Sequence, residues 1–191
     1  MPQNTLEDCF STLDLPKGIK QDALQNALDI QKSTGVTTRK DSRNRRYLIF
    51  VSVFKAYQDN GPIDIIKIGN MTNMDKNEMK KAFSKYSRVN NKILIEYKHR
   101  MTTVNYIKSF SDDLNFDERY ANLISEDYLN FKNKHPWIEI NANPRTLAIA
   151  FIKLYVLQKS GKDYNVKYLS NITCDCETSI NDHYNKLSSL Y

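Results

Sequence analysis

The sequence predicts an all-α protein made of two tandem copies of one helical unit, and three observations carry that expectation. Apolar residues recur at three- and four-residue spacing instead of alternating. Two runs, Tyr47 to Phe54 and Leu147 to Leu157, are apolar around almost their whole circumference. Finally, the chain of 191 residues is similar to itself at an offset of 101. At that offset Ile65-Ile-Lys-Ile-Gly-Asn-Met-Thr meets Val166-Lys-Tyr-Leu-Ser-Asn-Ile-Thr, so that Asn70 and Thr72 fall on Asn171 and Thr173. Met79 meets Ile180, Phe83 meets Tyr184, Lys85 meets Lys186 and Ser87 meets Ser188. Upstream, Leu15 meets Phe116, Ile19 meets Tyr120, Ala23 meets Ile124 and Ile30 meets Phe131, and at an offset of 99 Leu48 meets Leu147 and Val53 meets Ile152. The expected units are 1–101 and 102–191.

In chain order, Ile19, Ala23, Ala27 and Ile30, with Leu24 and Leu28, form the apolar face of an amphipathic helix. Leu15-Pro16 marks its start and Gly35 its end. The run from Tyr47 is the next helix. Because it is apolar on every side, it must be buried on every side, with the other helices wrapped around it. Asp59-Asn60-Gly61-Pro62 closes it. A short helix from Ile63 to Ile68, a turn at Gly69-Asn70 and a second helix opening at Asp75 then make a helix-turn-helix. Asp75 and Glu78 have the spacing of a capping box. The second copy repeats the plan. Pro144 opens its central helix, Lys159-Ser160-Gly161 closes it, and a helix-turn-helix follows from Asn165 to Tyr191, with a weaker cap around Asp175-Cys176.

Composition excludes several classes. Cys9, Cys174 and Cys176 cannot build a disulfide framework, and no Cys-x-x-Cys pair offers a structural zinc site. The N-terminus shows no basic stretch followed by an apolar run, so no signal peptide is expected. No apolar run is long enough to span a bilayer. The net charge of +6 is uneven: residues 1–100 carry 18 basic and 11 acidic side chains, a net of +7, and residues 101–191 carry 10 and 11, a net of −1. Contact with a polyanion or an acidic protein is therefore expected in the first half. Its densest basic cluster is Arg39, Lys40, Arg43, Arg45 and Arg46.

A five-helix unit with a buried central helix, duplicated and closed each time by a helix-turn-helix, resembles the tandem cyclin-repeat core of the transcription factor IIB family. Leu15-Pro-Lys-Gly-Ile looks like the opening of that family's first repeat, and Asp59-Asn-Gly-Pro with Ile68-Gly-Asn-Met-Thr like its turn and helix-turn-helix. Asn143-Pro-Arg-Thr-Leu-Ala-Ile-Ala-Phe-Ile is similar to the start of its second central helix, and Thr178-Ser-Ile-Asn-Asp-His-Tyr to its recognition helix. The match covers essentially the whole chain, through degenerate motifs. The family's N-terminal zinc ribbon and polymerase-entering segment have no counterpart here, so a zinc ribbon would lie outside this chain, and no cofactor is expected within it. Abundant Asn, Ile, Lys and Tyr point to an AT-rich coding sequence, as in a large DNA virus.

The resemblance implies a non-enzymatic scaffold that bridges TATA-binding protein, promoter DNA and RNA polymerase, working in a nucleus or a cytoplasmic virus factory and not in a membrane. It implies DNA contact by Lys76, Lys80 and Lys81 on the second helix of the first helix-turn-helix, and base reading by Thr178 and Asn181 in the second. Asn pairs with adenine where the family's Arg suits guanine, so the preferred element should differ. Asp175, Glu177 and Asp182 are expected to repel phosphate there.

Other readings are weighed against these. A cyclin that grips a kinase shares the duplicated fold, but its two copies would match each other less well in their last helices. Cys174, Cys176 and His183 have poor spacing for zinc and no evident fourth ligand. Asn70-Met-Thr and Asn171-Ile-Thr match the glycosylation sequon, yet their shared position argues for helix-turn geometry. His99 and His135 lack a nucleophile or carboxylate partner in sequence, and no phosphate-binding glycine loop is present. Trp137, with Ile138 and Ile140, is expected to pack between helices.

Overall fold

The computed structural model describes residues 5–35, 42–86 and 101–191, and all the regular structure in them is helical. Met1–Arg100 and Met101–Tyr191 form two compact units. The first holds α1 (Leu6–Ser11), α2 (Lys17–Thr34), α3 (Arg43–Asn60), α4 (Ile65–Met71) and α5 (Lys76–Lys85). The second holds α6 (Thr103–Asp113), α7 (Glu118–Lys134), a 3-10 turn at Pro136–Glu139, α8 (Pro144–Ser160), α9 (Val166–Thr173) and α10 (Glu177–Ser188). The starts of α2 and α7, α3 and α8, α4 and α9, and α5 and α10 are each 101 residues apart.

The two long apolar runs are the inner helices. In α8 every side chain from Arg145 to Val156 is buried, and in α3 Tyr47, Leu48, Phe50, Val51, Val53, Phe54 and Ala56 are buried. Within the first unit α3 packs on α2, α4 and α5; within the second α8 packs on α6, α7 and α10. Sequence chemistry sets the ends. Ser42 accepts a hydrogen bond from the Arg45 amide at the start of α3, and Asn143 accepts one from the Arg145 amide ahead of α8, where Pro144 takes the first helical position. Gly35 and Gly161 end α2 and α8 at φ 64° and 70°, a left-handed backbone that a Cβ disfavours.

The first helix-turn-helix departs from its expected boundaries. Instead of Ile63 to Ile68, α4 runs Ile65–Met71, because Asp64 caps the Ile66 amide at 3.0 Å. The turn therefore falls at Thr72–Met74 and not at Gly69-Asn70. Gly69 serves a different purpose: a Cβ there would lie 2.7 Å from Met79 Sδ and 3.1 Å from the Met74 carbonyl, so its absence lets α4 and the turn approach α5. The sequon threonines do share one role, as Thr72 and Thr173 are buried and return their hydroxyls to the Ile68 and Leu169 carbonyls at 2.8 and 3.0 Å. One short element went unforeseen. Thr5 and Asp8 form a reciprocal capping box that starts α1, and Phe10, 2% exposed, pins it to the core.

Trp137 also departs from expectation. It does not pack between helices but is 44% exposed, as is Ile140 at 65%, while Ile138 between them is 1% exposed. A 3-10 turn sends successive side chains in different directions, so only one of the three reaches the core. The same turn brings Glu139 to the Tyr128 hydroxyl at 2.6 Å, the Thr103 hydroxyl at 3.2 Å and the Lys132 ammonium at 2.5 Å, tying α6, α7 and the turn together.

Two outcomes follow from this packing. Phe151, fully buried against the rings of Tyr128 (5.1 Å) and Phe131 (5.7 Å), should cost about 3–5 kcal/mol as Phe151→Ala in denaturant unfolding. At Glu139, burial raises the pKa, but the bonds from Lys132, Tyr128 and Thr103 outweigh it and hold the carboxyl below its ordinary value. A lowered folded-state pKa contributes stability that is fully present above the unfolded value and is lost as pH falls through the folded one. Glu139→Gln should accordingly flatten the acid limb of a stability–pH curve while leaving its slope near neutrality unchanged.

Candidate nucleic-acid interface

Each helix-turn-helix is held to its inner helix by an arginine. In the first unit Arg46, in the first turn of α3, donates to the Asn73 carbonyl in the turn at 2.7 Å and pairs with Glu78 at 3.1 Å. In the second, Arg145, in the first turn of α8, donates to the Thr173 carbonyl and pairs through Nε with Asp175 at 3.0 Å. Arg46 and Arg145 meet at the offset of 99 that aligns Leu48 with Leu147. The turns agree as well, with Asn73 and Cys174, 101 residues apart, both left-handed at φ 51° and 54°. Surroundings differ. The Arg46 side chain is 47% exposed, whereas that of Arg145 is 9% exposed and lies over the Tyr106 and Phe110 rings at 5.7 and 5.0 Å.

A second correspondence fixes the longer helix of each motif. Phe83 of α5 meets the edges of Phe50 and Phe54 at 5.2 and 5.1 Å. Its counterpart Tyr184 lies under the ammonium of Lys153, which replaces Phe54 at the offset of 99, at 4.8 Å. Lys153 is 4% exposed and is satisfied by Asp163 and by the Tyr164 carbonyl at 2.8 Å. Met79 and Ile180 are both buried, and Tyr184 is half-buried. These anchors decide which faces of α5 and α10 remain outside.

On α5 the outer face carries Lys76, Lys80 and Lys81, all exposed, while Asp75 caps the helix and Glu78 turns inward to Arg46. On α10 Thr178 and Asn181 are both exposed and three residues apart, hence on one side of the helix, opposite Ile180 and Leu187. Glu177 and Asp182 are exposed beside them. Asp175 is not an external repellent charge, because Arg145 engages it.

The arginine cluster is divided by the fold. Arg43 is exposed and Arg46 is committed to α5, but Arg45 is 7% exposed and lines the floor of a groove with Leu6, Leu24 and Leu28. A buried side chain cannot reach phosphate, so Arg45 leaves the candidate surface. Arg39 and Lys40 lie outside the described residues, as does His99. Among the described residues no group of three or more His, Cys, Asp and Glu side chains is arranged to hold a metal ion, and no helix is long and apolar enough to cross a membrane. No protein-family model matches the chain, and a search of curated proteins finds no match.

The two arginine clamps should differ in stability. Arg145→Ala leaves Asp175 and a turn carbonyl without their partner in a buried site and should cost about 3–5 kcal/mol. Arg46→Ala breaks an exposed pair and should cost about 1 kcal/mol or less. Chemical denaturation of both variants checks the ratio.

Proposed function

We propose that this chain is a transcription initiation factor resembling transcription factor IIB, a scaffold of two five-helix cyclin-like repeats that bridges a TATA-binding protein, promoter DNA and RNA polymerase. The observation that supports it is the recurrence, at 101 residues, of a short helix, a left-handed turn and a longer helix, clamped each time by an arginine at the start of the inner helix. That arrangement presents one helix per unit outward while its opposite side is locked to the core.

On this reading the two units act differently. The first supplies affinity, since Lys76, Lys80 and Lys81 form a basic face on α5 in the half that carries the +7 charge. In the second, Thr178 and Asn181 read base edges, Asn181 giving two hydrogen bonds to adenine in the major groove. With Glu177 and Asp182 alongside, α10 binds phosphate poorly on its own, so its reading takes effect once a TATA-binding protein holds the DNA in place.

A gel-shift titration with TATA-containing DNA, with and without TATA-binding protein, tests both parts. Reversing Lys76, Lys80 and Lys81 to Glu should weaken binding and reduce the log–log salt slope by about 0.9 for each lost phosphate contact. Unchanged affinity and slope would remove α5 from the interface. Asn181→Ala should shift the promoter sequence selected in the ternary complex, worth about 1–3 kcal/mol at one base pair, and leave binding of the chain alone unaltered.

A further inference from the structure

The second unit carries an aromatic patch that neither its core nor the proposed DNA surface uses. Trp137 and Tyr191 are 44% and 42% exposed and are linked by a ladder of rings: Trp137 to His135 at 6.1 Å, His135 to Phe131 at 4.8 Å, and Phe131 stacked on Tyr191 at 5.7 Å. Ile140, whose amide bonds the Trp137 carbonyl at 3.0 Å, extends the apolar area at 65% exposure. Trp and Tyr are the side chains that dominate protein interfaces, and contiguous exposed apolar area marks such sites.

The charges around the patch have one sign. Lys186 of α10 lies over the Trp137 ring at 5.2 Å, and Lys134, in the last turn of α7, is also exposed. Both nearby carboxylates on α7 and the turn are engaged: Glu139 binds Lys132 and Tyr128, and Asp127 accepts the Tyr191 hydroxyl at 2.6 Å. Asp182, one helical turn before Lys186, is the exposed carboxylate on the α10 side. An apolar centre with an ammonium at its middle and a second at its edge complements a segment that presents leucine or phenylalanine together with carboxylates. We propose that this patch is a docking surface for an acidic amphipathic segment of a partner protein, its apolar side chains seated on Trp137 and Ile140 and its carboxylates on Lys186 and Lys134.

Trp137 is the sole tryptophan of the chain, so its own emission reports on the site. The full chain is titrated with a synthetic peptide of interspersed Asp, Leu and Phe, with the same peptide carrying Asn for each Asp, and with oligo(dT). The account expects a saturable change in Trp137 emission with the acidic peptide and binding at least about tenfold weaker with the Asn peptide. The doubly reversed variant Lys134→Glu/Lys186→Glu, with its helical circular dichroism intact, should lose about tenfold toward the acidic peptide. Two results would overturn the proposal: equal binding of the acidic and Asn peptides, or a response to oligo(dT) alone, which would make the patch a base-stacking platform. Should the reversed variant misfold, a titration of the native chain in rising salt decides the matter, because affinity independent of salt contradicts the charged rim.

Discussion

Everything in each unit depends on one helix that has no outside. A run such as Leu147 to Val156, buried at every position, must be enclosed on all sides, and the surrounding helices have little freedom in where they lie. The cost of such burial is that a polar group on the inner helix needs a designated partner. Arg145 and Lys153 have them: one meets the turn of the last two helices, the other the loop at Asp163 and Tyr164. The buried helix thus does more than fill the core. Its few charged side chains are the points from which the outer helix-turn-helix is held, and they decide which sides of α5 and α10 face outward.

The same constraint is met by different chemistry in the two units. Where the first places Phe54 against Phe83, the second places Lys153 against Tyr184, exchanging an edge-to-face ring contact for a cation over a ring. Where the first uses an exposed Arg46–Glu78 pair, the second uses a buried Arg145–Asp175 pair backed by two aromatic rings. The geometry is kept and the side chains drift. This is why the internal repeat shows in apolar positions and helix ends more than in identities.

How much was legible follows from the range of the signal. The inner helices, their glycine stops and the Asp75–Glu78 capping box are local patterns, and they stand in the structure where the sequence places them. The fate of Arg43, Arg45 and Arg46 was not legible. Three arginines in one turn look alike as a charge cluster, and only the packing of α3 against α2 and α5 separates an exposed, a buried and a clamped side chain. Trp137 was misplaced for a related reason, because apolar character alone does not say which of Trp137, Ile138 and Ile140 a 3-10 turn points inward. Arg145 with Asp175 spans 30 residues, beyond any periodicity, although the match of Arg46 to Arg145 at the offset of 99 was a readable clue.

Native-state hydrogen exchange tests the enclosed-helix account most directly. If α3 and α8 are the cores to which the outer helices are fastened, their central amides, around Val51 and Ile152, exchange last and only through global unfolding of their unit. Those of α4, α5, α9 and α10 then exchange earlier, through local opening. Exchange of the α3 or α8 centres as fast as the helix-turn-helix amides of the same unit would contradict it.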